Sequence, residues 1–224
     1  MKKSYRYFDL ILAFFASCLL ISNLAATKVV AFGPLILDGG AVLFPLVYIF
    51  ADVLTEVYGY TYARRAIWTG FAVMLLAVVA FTIVGYLPAA PDYTDQEAFS
   101  TILGFLPRIV FASLLAYLVG EFINAYVLAR LKVKTEGRMM WLRLIGSTVL
   151  GGLADTVVFG LVAFGGIFSA QDMLIFIAVG WIFKTAVEVL LLPVTYRVIN
   201  FLKKHENVDA YDKKTDFSPA KISL

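Results

Sequence analysis

The chain has 224 residues, of which 61% are hydrophobic and only 16% charged, and its mean hydropathy is +0.85. Those values lie outside the soluble range and indicate a polytopic membrane protein of one domain, since no long polar segment interrupts the apolar runs. A net charge of +3, a lone cysteine (Cys18, in an apolar run) and a lone histidine (His205, in a polar tail) exclude an intramolecular disulfide, a His/Cys metal centre and a Cys/His nucleophile pair; no cofactor is expected.

Met1 to Tyr7 is short and basic, and Phe8 to Ala26 has the length of a first span. Leu24-Ala25-Ala26 resembles a signal-peptidase site, but Asn23 beside it favours a retained span. Lys28 to Gly40 is too short to cross; it alternates weakly around Gly33-Pro34 and is expected to form a short hairpin or re-entrant loop.

A second span is expected over Ala41–Tyr60 and a third over Ala66–Leu87. Pro88 to Ser100 is a polar, acidic loop. The fourth span covers roughly Thr101–Arg130, and Arg130–Arg143 reads as a basic connector. The fifth, roughly Leu144–Phe168, is rich in small residues that allow close helix approach. The sixth covers about Asp172–Val198. The expected fold is therefore all-α: one bundle of six transmembrane helices over residues 1–205, with a polar, disordered tail over 206–224.

Six spans put both termini on one side. Sixteen of the nineteen basic residues fall on that side: in the N-terminus, the second-to-third loop, the fourth-to-fifth connector and the C-terminus. The positive-inside rule then places both termini in the cytoplasm.

Seven ionisable residues lie within the spans: Asp52, Glu56, Arg108, Glu121, Asp155, Lys184 and Glu188. At about 1.5 Å per residue, Asp52, Asp155 and Lys184 come near the middle of a core about 30 Å thick. Asp52/Glu56 and Lys184/Glu188 are four apart and Glu121/Asn124 three apart, so each pair shares a helix face. Polar faces from four helices meeting at one level are the pattern of a midplane substrate site. Any single residue can instead be a structural ion pair, for example Lys184 with Asp52 or Asp155. The set is harder to dismiss, because five acids face two bases. Arg64 and Arg65 are most simply interface anchors. Tyr58, Tyr60 and Tyr62 fit an interface as well as a site, and Phe159, Phe164 and Trp181 fit a core as well as a ligand platform.

These residues also form a recognisable set. Asp52-Val-Leu-Thr-Glu56-Val-Tyr58-Gly59 followed by Ala63-Arg64-Arg65 resembles the signature of the YhhQ-type queuosine precursor transporters, also called the vitamin uptake transporter family. The resemblance continues through Ser22-Asn23, Gly120-Glu121-Phe122-Ile123-Asn124, Lys132 to Arg143, Gly146-Ser147-Thr148, Asp155-Thr156 with Phe159, Ala163-Phe164-Gly165-Gly166, and Lys184 with Glu188 and Pro193. It covers nearly everything except the termini and the Pro88–Ser100 loop. Gly152 departs from the pattern, since the family more often has Glu or Gln there.

The resemblance implies a six-helix bundle like the substrate-binding subunits of ECF vitamin transporters, not an enzyme. It implies uptake of 7-deazaguanine precursors of queuosine (7-cyano-7-deazaguanine, its aminomethyl form or queuine) across the inner membrane. The chemistry agrees: such a base presents N–H and NH₂ donors beside one carbonyl acceptor, which a carboxylate and a Lys, Arg or Asn can read. The expected substrate-binding set is Asn23, Asp52, Glu56, Arg108, Glu121, Asn124, Asp155, Thr156, Phe159, Lys184 and Glu188. In it Glu121 or Asp155 reads the base edge, Lys184 or Asn23 donates to the carbonyl, and Phe159 stacks. Asp52 and Glu56 would line the inner half of the path. The expected partners are a nucleobase-like small molecule and the lipid bilayer, with no direct nucleic acid; a homodimer is compatible.

Three rivals stand beside this. A binding subunit of an ATP-driven importer would need a partner, because no Walker A pattern occurs. An intramembrane protease would need His-Glu-x-x-His or two meeting aspartates, and only Asp52 with Asp155 could supply the latter. A proton- or ion-conducting protein could relay protons along the midplane carboxylates.

Overall fold

In a computed structural model, residues 5–32, 35–104 and 107–221 are described. Long apolar helices dominate. α1 (Phe8–Ala25) leads into an antiparallel hairpin of β1 (Val29–Phe32) and β2 (Leu35–Asp38), which pairs Val29 with Asp38 and Phe32 with Leu35. Gly33 and Pro34 lie outside the described residues. The base of the hairpin is tied back to α1 by the Ser22 hydroxyl, which donates to the Gly40 carbonyl at 3.1 Å.

The chain continues through a 3₁₀ turn (Gly39–Val42), α2 (Phe44–Val53), a π-helical turn (Leu54–Tyr58) and α3 (Tyr60–Tyr86). The short α4 (Gln96–Leu103) precedes α5 (Pro107–Lys134), α6 (Met140–Phe164) and α7 (Ala170–Glu206).

Among the described residues, five stretches are long and apolar enough to cross a membrane: α1, α3, the run Gln96–Lys134, α6 and α7. Their outer faces carry large apolar side chains such as Leu76, Leu174 and Leu190, each more than two-thirds exposed. A soluble fold would bury such residues, whereas a bilayer accepts them.

Helix is present over the expected second span, but it is broken and is not among these five stretches. The 3₁₀ turn, ten residues of α-helix and the π turn take the place of one continuous helix over Ala41–Tyr60. Gly59 ends the π turn at φ +87°, a conformation that disfavours any residue with a Cβ. The basic connector is also shorter than its composition suggests. Helices α5 and α6 absorb most of it, leaving five residues (135–139) as a turn. Within the acidic loop, helix resumes at Gln96.

α5 and α6 are the most extensively packed pair. A Cβ on Gly120 would come 2.6 Å from that of Asp155, and one on Gly151 would come 2.8 Å from that of Asn124. Glycine on both helices thus allows backbone contact at the level of the polar residues, as the small-residue run leads one to expect. α7 starts at a Ser169 cap, whose hydroxyl oxygen accepts from the Asp172 N–H at 3.1 Å. It ends at Asn207 in the left-handed conformation. Pro193 sits inside it and removes one helical hydrogen bond.

Polar composition predicts a disordered tail. The described tail residues, up to Lys221, instead lie against the ends of the helices. Ala210 N–H donates to the Val57 carbonyl at 3.2 Å, and Tyr60 N–H donates to Asp212 at 3.0 Å. Arg64 donates to the carbonyls of Asp216 and Ser218, both at 2.9 Å. The groups that hold the tail lie on α3, α5 and the π turn, far away in sequence, so local composition carries no trace of them.

Candidate functional site: a polar cavity inside the bundle

A cavity of about 760 Å³ lies among α1, α2, α3, α5, α6 and α7, on the side of the bundle away from the basic end. That volume is within the roughly 300–1,000 Å³ usual for small-molecule sites. Its wall is largely apolar, with a few convergent polar groups.

Seven of the eleven expected residues line it: Asn23, Glu121, Asn124, Asp155, Thr156, Phe159 and Lys184. Lys184 on α7 is hydrogen-bonded to Asp155 on α6. Glu121 on α5 is 9% exposed and accepts no hydrogen bond from the described residues, so its carboxylate opens on the cavity. Asn23 donates to the Leu19 carbonyl at 2.9 Å, which leaves its amide oxygen facing Ser113. Thr156 is turned inward, its hydroxyl donating to the Gly152 carbonyl at 2.7 Å. Phe159 packs against Phe164 and Phe176 at ring distances of 5.8 and 6.2 Å, a group of flat apolar faces at one end of the cavity.

Four expected residues stand outside the cavity lining. Arg108 is exposed and caps the end of α6, donating to the carbonyls of Val162 (2.7 Å) and Gly165 (2.5 Å). Asp52 accepts from the Asn124 amide at 2.9 Å and lies beside the carboxyl of Glu188; both residues are 1% exposed.

Glu56 belongs to a separate cluster. It is fully buried and takes a bidentate contact from Arg143 at 2.8 and 2.9 Å and a bond from Lys203 at 2.5 Å. Lys132 donates to its backbone carbonyl at 2.5 Å and bonds Asp209 of the tail. Partial burial pushes the Asp209 carboxyl up, but the hydrogen bonds and charges of Lys132 and Lys203 outweigh this and hold it below the ordinary carboxylate range. The π turn explains why Asp52 and Glu56 part company. Helical spacing puts them on one face, whereas in the structure the wider turn begins two residues after Asp52 and each carboxylate finds its own partners.

Tyr48, Ser113, Tyr117, Phe176 and Phe183 also line the cavity and were not singled out from the sequence. Tyr48 lies four residues before Asp52, and Tyr117 four before Glu121. Extending the helical spacing one turn backward finds both. Gly152 lies in the wall with open space before it: an added Cβ would meet only Trp181, at 4.0 Å.

The family model described as "Putative vitamin uptake transporter" matches residues 38–198, a span that holds every polar residue of the cavity named above except Asn23. The chain belongs to this family. It is similar to the probable queuosine precursor transporter of Bacillus subtilis (strain 168), at 35% identity over 83% of this chain and 81% of that protein. The queuosine precursor transporter of Escherichia coli (strain K12) is 29% identical over 74% of each chain. A third relative, the probable queuosine precursor transporter of Haemophilus influenzae, is 27% identical over 71% of this chain and 67% of its own. These relatives are named as transporters, not enzymes. No solved structure matches.

Proposed function

We propose that this chain imports 7-deazaguanine precursors of queuosine across the inner membrane. The observation that carries this is the Glu121 carboxylate, which lines the cavity and accepts no hydrogen bond from the described residues. A deazaguanine offers two adjacent donors, N–H and NH₂, that one carboxylate accepts together. Lys184, on the same wall, reaches the carbonyl, and Phe159 with Phe176 offers a stacking face. Asp155 balances Lys184 and receives an aminomethyl substituent when the substrate carries one. The relatives named as queuosine precursor transporters support the substrate class.

In this reading the π turn and α2 make the second of six crossings, in an arrangement like ECF substrate-binding subunits. The basic end, with both termini, faces the cytoplasm. The cavity then faces outward, while the Glu56 cluster and the tail close the inner side.

The test uses cells that can neither make nor import the precursors. Expressing this chain and supplying each precursor at low concentration should restore queuosine in tRNA, and the ranking of precursors names the substrate. Absence of queuosine, with the protein present in the membrane, overturns the proposal. Uptake by the purified chain alone in vesicles excludes an obligatory ATPase partner, and saturable, competable uptake excludes an open ion pathway.

A further inference from the structure

Two carboxyl groups in the bundle are left without the partners that buried acids require. Asp52 and Glu188 meet between α2 and α7, each 1% exposed, and neither takes part in an ion pair among the described residues. One oxygen of each, Asp52 Oδ2 and Glu188 Oε1, is buried with no hydrogen-bond donor. Glu56, by contrast, is surrounded by three cations.

The surrounding elements do not relieve this. α5 directs Glu121 and the neutral Asn124 toward Asp52, and α1 carries no charge nearer than Asp9 at its far end. On α7, Lys184 is bonded to Asp155 and Thr185 Oγ1 is itself unpartnered. Glu56, on the π turn, is held by its own cations. Two adjacent anions in a low-dielectric interior repel strongly, and each unsatisfied oxygen adds its desolvation cost. One proton shared by the pair removes one charge and supplies a donor where there is none.

We infer that Asp52 and Glu188 form a proton-binding site, coupled to the substrate cavity through Asn124. Asn124 is the physical link: its amide donates to Asp52, while the residue also lines the cavity beside Glu121. A ligand that packs against Asn124 shifts the residue that holds Asp52. Proton binding at the dyad and ligand binding at the cavity therefore bias one another. The second half of this inference rests on the proposed import function; the proton site does not.

The experiment has two arms on the protein in lipid vesicles. Infrared spectra at neutral pH should show the carbonyl band of a protonated carboxylic acid that is lost in Glu188→Gln and shifted or lost in Asp52→Asn. No such band in the wild type, or an unchanged band in both variants, overturns the proton site. In the transport arm, an inward proton gradient should accelerate 7-cyano-7-deazaguanine uptake by roughly tenfold or more and acidify the vesicle lumen in step. Glu188→Gln should retain ligand binding and exchange of internal for external ligand but lose the acceleration. Gradient-independent uptake by the wild type overturns the coupling. If the infrared result stands while no deazaguanine is bound or moved, the substrate reading falls and the proton site survives.

Discussion

Asp155 on α6 and Lys184 on α7 form an ion pair in the cavity wall with about a quarter of each side chain exposed. Breaking a fully buried pair by removing one partner costs about 3–5 kcal/mol, and partial exposure reduces this. Asp155→Asn and Lys184→Met should each lower the melting temperature in detergent, and the double variant should recover part of that loss. Neither single variant nor the double should transport. Recovery of uptake in the double variant would show that the pair is only structural.

Glu121 accepts no hydrogen bond from the described residues, so its replacement should separate binding from folding. Glu121→Gln keeps the shape, and its loss of affinity should be tenfold or more, about 1.4 kcal/mol per factor of ten. Thermal stability should hold or rise, because a buried carboxylate without a donor is costly. Ligand titration and melting curves on the same preparation check both halves.

The Glu56 cluster should behave in the opposite way. Arg143→Ala leaves Glu56 short of its bidentate partner and should reduce the folded, membrane-inserted protein. The expected loss is about 3–5 kcal/mol, lessened by Lys203 and Lys132. Arg143→Lys should rescue only weakly, because a point ammonium cannot reproduce the two parallel bonds. Size-exclusion profiles of tagged protein give the yield of each variant.

Two glycines one residue apart should respond differently. Gly151→Leu drives a side chain into Asn124 and the Gly120 carbonyl and should prevent α5 and α6 from packing. Gly152→Gln points into open space beside Trp181 and should melt close to the wild type while changing the ranking of precursors. Parallel melting and competition assays on the two variants test this.

Asp209 gives the tail a pH dependence. Its carboxyl is held below 3.8 in the folded protein, so the ionic hold is complete above that value and is lost as pH falls through the lower, folded one. Because Asp209 is 42% exposed, solvent screening keeps the contribution modest. Amide exchange at Ala210 should stay slow from pH 5 to 8 and quicken below about pH 3.8. Asp209→Asn should show fast exchange already at neutral pH.

Helical spacing and span length reveal most of this architecture before any coordinates. Glu121, Asn124, Asp155 and Lys184 converge because each sits mid-span on the polar face of its own helix. The glycines of α6 likewise announce close packing. Spacing fails at Leu54–Tyr58, where a wider turn begins and no residue type marks it; Glu56 accordingly has different neighbours from those its distance to Asp52 implies. Arg108 is a similar case. Its position inside an apolar run suggests function, but three-dimensional placement gives it two carbonyls at a helix end.

Pro193 divides α7 into two lever arms. One carries Lys184 at the cavity and Glu188 beside Asp52; the other carries Lys203 and Glu206 at the basic end. Lys203 is ten residues beyond the proline, about 15 Å along the axis. A bend of roughly 20° at that point, the size proline kinks reach, displaces Lys203 by about 5 Å. That is twice the length of its bond to Glu56, so a bend of that size would break the bond while leaving the Asp155–Lys184 pair, on the other side of the proline, in place.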